Sequence, residues 1–301
     1  GNGSYQWKIP NAPSPNVKVK VEATNANWQT ASGASPSLNS IIGSIMEVTV
    51  LADGAPSTTD MEVTGSKTLQ WKPNGAISKY KIEYRCTGGN ASCNGSWVAI
   101  SPAGGCDSTC FSISGDYRRW TWTSIPDRIS NDVDFQISDY DNATKVNAQS
   151  TTNYILKGKL RVDSPRSTDV LTIGTTTIGP RTSISWEKYG TIGDVNVEYS
   201  TSGTFTAGDY SSGYVFTILN NYASGPDGFN DYAWPVGIIG VNRKISDTGV
   251  VRVSNITAVT GTELVKDSPT FKIRPWVNNI IAPTGSSLWN VGETNRIITW
   301  N

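Results

Sequence analysis

Apolar and polar positions alternate with a period of two along most of the chain. Val17, Val19 and Val21 alternate with Lys18, Lys20 and Glu22, and Val195, Val197 and Tyr199 alternate with Asn196 and Glu198. Such alternation places one face of a strand in a core and the other in water. Turn-forming clusters separate the runs: Pro13-Ser14-Pro15-Asn16, Pro73-Asn74-Gly75, Gly88-Gly89-Asn90 and Gly225-Pro226-Asp227-Gly228. Gly and Pro supply the backbone angles that tight turns need. No window of helical length carries an apolar stripe at 3.6-residue spacing. The pattern predicts an all-β chain with roughly seven short strands per module, as in immunoglobulin-like or fibronectin-III-like sandwiches.

The tryptophans give the module length. Trp71, Trp186 and Trp300 each close a strand-like run and are spaced 115 and 114 residues apart. A second series, Trp7, Trp122 and Trp234, has spacings of 115 and 112. Ile82-Glu83-Tyr84 recurs as Val197-Glu198-Tyr199, and Tyr154-Ile155-Leu156 aligns with Phe271-Lys272-Ile273. Val133 to Asp139 is aligned with Val241 to Asp247, a spacing of 108 that implies a shortened loop, and with Val17 to Ala23 in the first unit. The expected division is a partial sandwich at 1–43 holding the last strands of a unit, complete sandwiches at 44–158 and 159–275, and a partial sandwich at 276–301 holding the first strands of the next. A segment of a longer polypeptide explains the partial units most simply. Joining of successive chains through shared sheets is the sharper expectation, since an added strand satisfies an exposed sheet edge.

Leu69-Gln70-Trp71, Ile82-Glu83-Tyr84, Gly115-Asp116-Tyr117-x-x-Trp120-Thr121-Trp122-x-x-Ile125-Pro126-Asp127 and Val133-x-Phe135-x-Ile137-Ser138-Asp139 follow one another in the first complete unit. This order resembles the repeats of large secreted bacterial proteins that are similar to the N-terminal domain of yeast cell-wall β-glucan-assembly proteins. The match is good from Trp71 to Asp139 and weaker in the next unit, where Trp234-Pro235 lacks the Thr-x-Ile-Pro-Asp tail. The resemblance implies Ig-like sandwiches in long surface or secreted polypeptides, and it implies no catalytic residues.

Composition narrows the function classes. The 25 basic and 25 acidic residues cancel, which leaves no basic excess for a nucleic-acid partner. Histidine is absent, so Ser-His-Asp and Cys-His catalysis and the commonest transition-metal ligand are excluded. A carboxylate pair of the glycosidase kind needs a cleft, which a small sandwich with solvent-facing acids does not offer. The chain is expected not to be an enzyme, to need no cofactor or metal, and to have no membrane span, because no run of 18 apolar residues occurs.

The four cysteines, Cys86, Cys93, Cys106 and Cys110, are clustered and even in number. That suits two local disulfides in an oxidising compartment. Four cysteines allow three pairings; Cys86–Cys93 with Cys106–Cys110 is expected, each closing one short loop. A zinc site is the alternative, and its spacing fits no common finger or ribbon. Abundant Ser, Thr, Asn and Gly, with the sequons at Asn2, Asn90, Asn94, Asn142 and Asn255, point to an extracellular or cell-surface location.

Trp7, Trp71, Trp122, Trp186, Trp234 and Trp300 are expected in sandwich cores. Trp28, Trp97 and Trp120 are the candidate surface contacts. Trp120, beside the inward Trp122, is read as facing outward, where it could meet another subunit or a glycan. Asp139, Asp141 and Asn142 form an acidic loop that could take calcium, or serve as a solvated turn. Asp141 has no counterpart in the next unit, where Asp247-Thr248-Gly249 follows. The expected partners are copies of the chain, neighbouring repeats of a longer chain, or cell-wall glycan. The expected role is a non-enzymatic structural repeat, with a carbohydrate-binding adhesin module as the alternative.

Overall fold

The computed structural model describes residues 3–24, 30–51, 60–173, 183–236, 238–239, 242–257, 259–275 and 280–300; Asn2, Trp28 and Trp276 lie outside them. Two compact units are present, Gly1–Lys157 with Val259–Thr262, and Gly158–Ala258 with Glu263–Asn301.

The first unit opens with a double hairpin. Strands β1 (Ser14–Val17), β2 (Lys20–Thr24), β3 (Thr30–Ala34) and β4 (Asn39–Ile41) pair as β1 with β4 and β2 with β3, all antiparallel. A sandwich follows. Its strands are β5 (Ser44–Val50), β6 (Asp60–Glu62), β7 (Lys67–Asn74), β8 (Tyr80–Thr87), β9 (Val98–Ala99), β10 (Ser112–Ser114), β11 (Tyr117–Trp122), β12 (Ser130–Asp139), β13 (Asn147–Gln149) and β14 (Tyr154–Lys157). One sheet runs β10-β11-β7-β5; the other runs β6-β14-β12-β8-β9, with β13 on the far half of β12. In immunoglobulin lettering these are D-E-B-A and A′-G-F-C-C′. The short β6 pairs parallel with β14, as A′ does with G. The sandwich is therefore Ig-like by its own strand order.

The second unit repeats the plan. Strands β15 (Lys159–Ser164), β16 (Val170–Thr172), β17 (Ser183–Tyr189) and β18 (Val195–Ser200) lead to helix α1 (Ala207–Ser211). Then come β19 (Val215–Tyr222), β20 (Gly228–Ala233), β21 (Ile238–Ile239), β22 (Asn242–Arg243), β23 (Ser246–Asn255), β24 (Val265–Asp267) and β25 (Phe271–Arg274). The sheets run β15-β17-β20 and β16-β25-β23-β18-β19, which is A-B-E and A′-G-F-C-C′. A last pair, β26 (Ile280–Ala282) and β27 (Thr299–Trp300), sets Ile280 opposite Trp300. In strands A and B of the second sandwich, Val162 stands opposite Trp186 in the same way.

The cores follow from the inward positions. Trp71 is fully buried and packs edge-on against Tyr80 at 5.0 Å. Trp122 lies 4.8 Å from Tyr84 and 5.9 Å from Phe135, which continues to Tyr154 at 5.5 Å. In the second sandwich Trp186 and Trp234 are buried, and Trp234 lies 5.2 Å from Tyr199 and 6.4 Å from Phe271. Offset and edge-on rings at these distances add to the gain from burial.

Two expectations need correction. The last long strand of the second sandwich is Ser246–Asn255, not Val241–Asp247. Val251 stands opposite Tyr199 as Phe135 stands opposite Tyr84, so strand F recurs after 116 residues rather than 108. Val251 and Val253 are fully buried, and burial fixes the register that the repeated Ile-Ser-Asp phrase misassigns. Trp7 lies in no strand and is 48% exposed, so it is not a core residue here. The Trp300 side chain lies outside what is described.

Candidate functional site

The feature shared along the chain is a pair of serines that brace strand F. Ser130 starts β12. Its hydroxyl donates to the Thr87 carbonyl at 2.5 Å and accepts the Asp132 amide at 3.0 Å. Ser246 starts β23 and does the same, donating to the Thr201 carbonyl at 2.7 Å and accepting the Thr248 amide at 3.0 Å. Both seats coincide with a shift of register between F and G, between Ser130 and Val133 and between Ser246 and Gly249. A bulge frees backbone groups there, and the hydroxyl satisfies them.

The second serine sits where strand G jogs. The Phe135 amide donates to Ser150 Oγ at 3.0 Å, and the Ser150 amide returns a bond to the Phe135 carbonyl at 2.8 Å. Val251 and Ser268 make the same exchange at 3.0 and 2.7 Å. The N-terminal double hairpin carries the amide-accepting half of the first seat and the whole of the second. The Asn16 amide donates to Ser14 Oγ at 3.3 Å, the Val19 amide to Ser35 Oγ at 3.3 Å, and the Ser35 amide to the Val19 carbonyl at 2.8 Å. Ser14, Ser130 and Ser246 are spaced 116 and 116 residues apart; Ser35, Ser150 and Ser268 are spaced 115 and 118. Serine is abundant in the chain, so the repeat spacing alone does not single these residues out in the sequence.

The C to C′ side is braced differently in each sandwich. In the first, Cys86–Cys93 and Cys106–Cys110 are disulfides, and no free cysteine remains. The Arg85 guanidinium lies 4.8 Å over the Trp97 ring and pairs with Asp134 at 2.8 Å. Trp97 is half-buried, and that contact covers one face of its ring. In the second sandwich a carboxylate replaces the disulfides. Asp209 accepts from Thr206 Oγ1 at 2.6 Å, Ser202 Oγ and Thr204 Oγ1 at 2.7 Å each, and the Thr206 amide at 2.8 Å. The Thr206, Ser202 and Thr204 hydroxyls and the Thr206 amide hold its carboxyl far below the usual range. Nearby, Arg252 forks onto Asp267 at 2.7 and 2.9 Å under the Phe205 ring at 4.0 Å, and the Tyr210 hydroxyl donates to Glu198 at 2.8 Å.

The remaining candidates separate. Trp120 stands opposite Leu69, which is fully buried, so it shares the inner face with Trp122. Residues two apart on a strand point the same way, and the outward expectation for Trp120 is corrected on that ground. Asp139, Asp141 and Asn142 share one loop. Asp139 accepts from the Asp141 amide at 3.0 Å and the Asn142 side-chain amide at 3.3 Å, so its carboxylate serves its own turn. The described residues hold no cluster of three or more His, Cys, Asp or Glu side chains suited to a metal ion. Asn90 and Asn94 accept the Ser92 and Ser96 amides at 3.2 and 3.1 Å within the disulfide-bonded region. Asn255 is not an open acceptor. Its side chain donates to the Ile192 carbonyl at 3.1 Å and accepts the Leu264 amide at 2.6 Å, which ties it into the fold.

Family models give no match, and no curated protein matches. Among solved structures the chain is similar to the titin domains Z1Z2 in complex with telethonin, at 10% identity, covering 78% of this chain and 97% of that one with a TM-score of 0.22. A chimeric titin Z1Z2-Z1Z2 tandem gives 9% identity, 71% and 94% coverage and a TM-score of 0.21. A marsupial T cell receptor gives 10%, 75% and 99%, with a TM-score of 0.23. The Ig-like assignment rests on strand order and register within each sandwich, not on these likenesses.

Proposed function

We propose that the chain is a structural tandem-repeat segment of an extracellular surface protein or filament, and that its sandwiches add length and contact neighbouring repeats. The observation that carries this reading is the strand F framework, built in full in both sandwiches and in part in the N-terminal double hairpin, with serines at the repeat spacing. Recurrence of a framework along one chain suits a module used in series. Two disulfides suit an oxidising compartment. No helix among the described residues is long and apolar enough to cross a membrane.

The contact face follows from the same alignment. Val19 and Val21 hold the places of Phe135 and Ile137. Those two are fully buried, whereas Val19 is 40% and Val21 69% exposed. In the complete sandwiches a second sheet covers this face, so a sheet of a neighbouring repeat is the fitting cover. Analytical ultracentrifugation of the chain across a concentration range tests this. Growth of assemblies that Val19→Asp with Val21→Asp abolishes supports contact between copies. A monomer at every concentration, with the same melting curve in wild type and variant, overturns it.

A further inference from the structure

Gly158 is the single residue between β14, strand G of the first sandwich, and β15, strand A of the second. It is buried. A Cβ placed on it would lie 2.0 Å from Ile192 Cγ2, 3.0 Å from the Tyr189 carbonyl oxygen and 3.4 Å from Leu264 Cδ1. The first distance is far inside contact range, and the second partner is backbone, so neither neighbour yields cheaply. The need for glycine here is a need for space. The flanking residues are anchored as well: the Lys157 carbonyl accepts the Val63 amide at 2.9 Å, and Lys159 stands opposite Tyr189.

Gly43 holds the same place one repeat earlier, just before β5. A Cβ there would lie 2.8 Å from Ile77 Cγ1 and 3.1 Å from the Asn74 carbonyl oxygen. Gly43 and Ile77 are 34 residues apart, as are Gly158 and Ile192. In both cases the turn between strands B and C is closed by a glycine in the left-handed region, Gly75 at φ 94° and Gly190 at φ 88°. The same three positions thus recur with the repeat.

We propose that each junction glycine is a seat and not a hinge. It docks the junction onto the B–C turn of the sandwich that follows, so that the connecting residue belongs to that sandwich's packing. Glycine in a linker ordinarily confers flexibility; close approach of an isoleucine and a backbone carbonyl, at buried Gly158 and half-buried Gly43, makes it a fixed point instead. The inference goes beyond the role proposed above and stands without it.

Limited tryptic digestion of the full chain tests it, with cleavage read bond by bond by mass spectrometry. Lys157 and Lys159 flank Gly158 directly. In the folded wild type, cleavage after Lys157 is expected to be as slow as after Lys188 in β17, and far slower than after Lys145 on its exposed loop. Gly158→Ala is expected to speed cleavage after Lys157 about tenfold or more, because opening precedes cutting. The combination with Ile192→Ala is expected to cost less than the two single changes added, as for residues in contact. Gly43→Ala, which meets a side chain less closely, is expected to shift the first sandwich in the same direction by less, and it keeps the test open if Gly158→Ala does not fold. Wild-type cleavage after Lys157 as fast as after Lys145 would overturn the proposal. So would strictly additive effects of Gly158→Ala and Ile192→Ala.

Discussion

At the scale of single residues, stability depends on groups that bury a polar atom only because a partner is in place. Ser268 accepts the Val251 amide in the interior of the second sandwich, and Val251 itself is fully buried. Ser268→Ala removes the acceptor and leaves the amide dry and unpaired, which costs about 1–3 kcal/mol. Urea unfolding is expected to show a lowered midpoint with an unchanged slope. The tryptophans act through volume. Trp71 is fully buried between the sheets, and Trp71→Ala is expected to destabilise the first sandwich by about 3–5 kcal/mol, read as a lowered melting temperature. Trp120 lies two residues from Trp122, and a spacing of two keeps both on one face of the strand.

At the scale of elements, the sandwiches brace their C to C′ regions with different chemistry, and the difference predicts different sensitivities. Each disulfide of the first sandwich closes a short loop and is worth about 2 kcal/mol by loop entropy. A reductant is therefore expected to lower the melting of the first sandwich and leave the second unchanged, since all four cysteines lie in the first. In the second sandwich Asp209 ties down its loop as a carboxylate. A folded-state value held below the unfolded value of 3.8 gives stability that is present above that pH and is lost as pH falls through and below it. Asp209→Asn is expected to flatten the acid side of the second sandwich's stability curve, checked by melting at stepped pH. A variant that keeps the wild-type acid dependence would remove Asp209 from this role.

The elements were legible to the extent that alternation and turn residues mark them. The period, the cysteine pairing and the strand B and E tryptophans could be read directly, because large inward residues and short loops leave a local signature. Strand F of the second sandwich is misplaced by the sequence, because Ile245-Ser246-Asp247 repeats the Ile137-Ser138-Asp139 ending of strand F in the first, and only the pairing with β18 sets the strand at Ser246–Asn255. The serine seats depend on partners brought together by the fold, such as Ser246 with the Thr201 carbonyl, and those cannot be inferred from spacing within one segment. The Asp209 knot is local: its partners all lie between Ser202 and Thr206, and Thr206 with Asp209 three residues on has the spacing of a capping box.

At the scale of the whole molecule, each sandwich has its own aromatic core, its own strand F framework and its own brace. Modules of this kind unfold as separate cooperative units unless something couples them. Differential scanning calorimetry of the chain is therefore expected to resolve two transitions. They can be assigned without cutting the chain, because the perturbations are orthogonal: reductant moves one and Asp209→Asn moves the other. The junction glycine adds a constraint that distinguishes a seat from a free linker. Gly158 packs on Ile192 and Leu264, so Gly158→Ala should lower the transition that responds to Asp209→Asn and leave the reductant-sensitive one in place. If Gly158→Ala lowered neither transition, or lowered only the reductant-sensitive one, the residue would not be part of the second sandwich's packing.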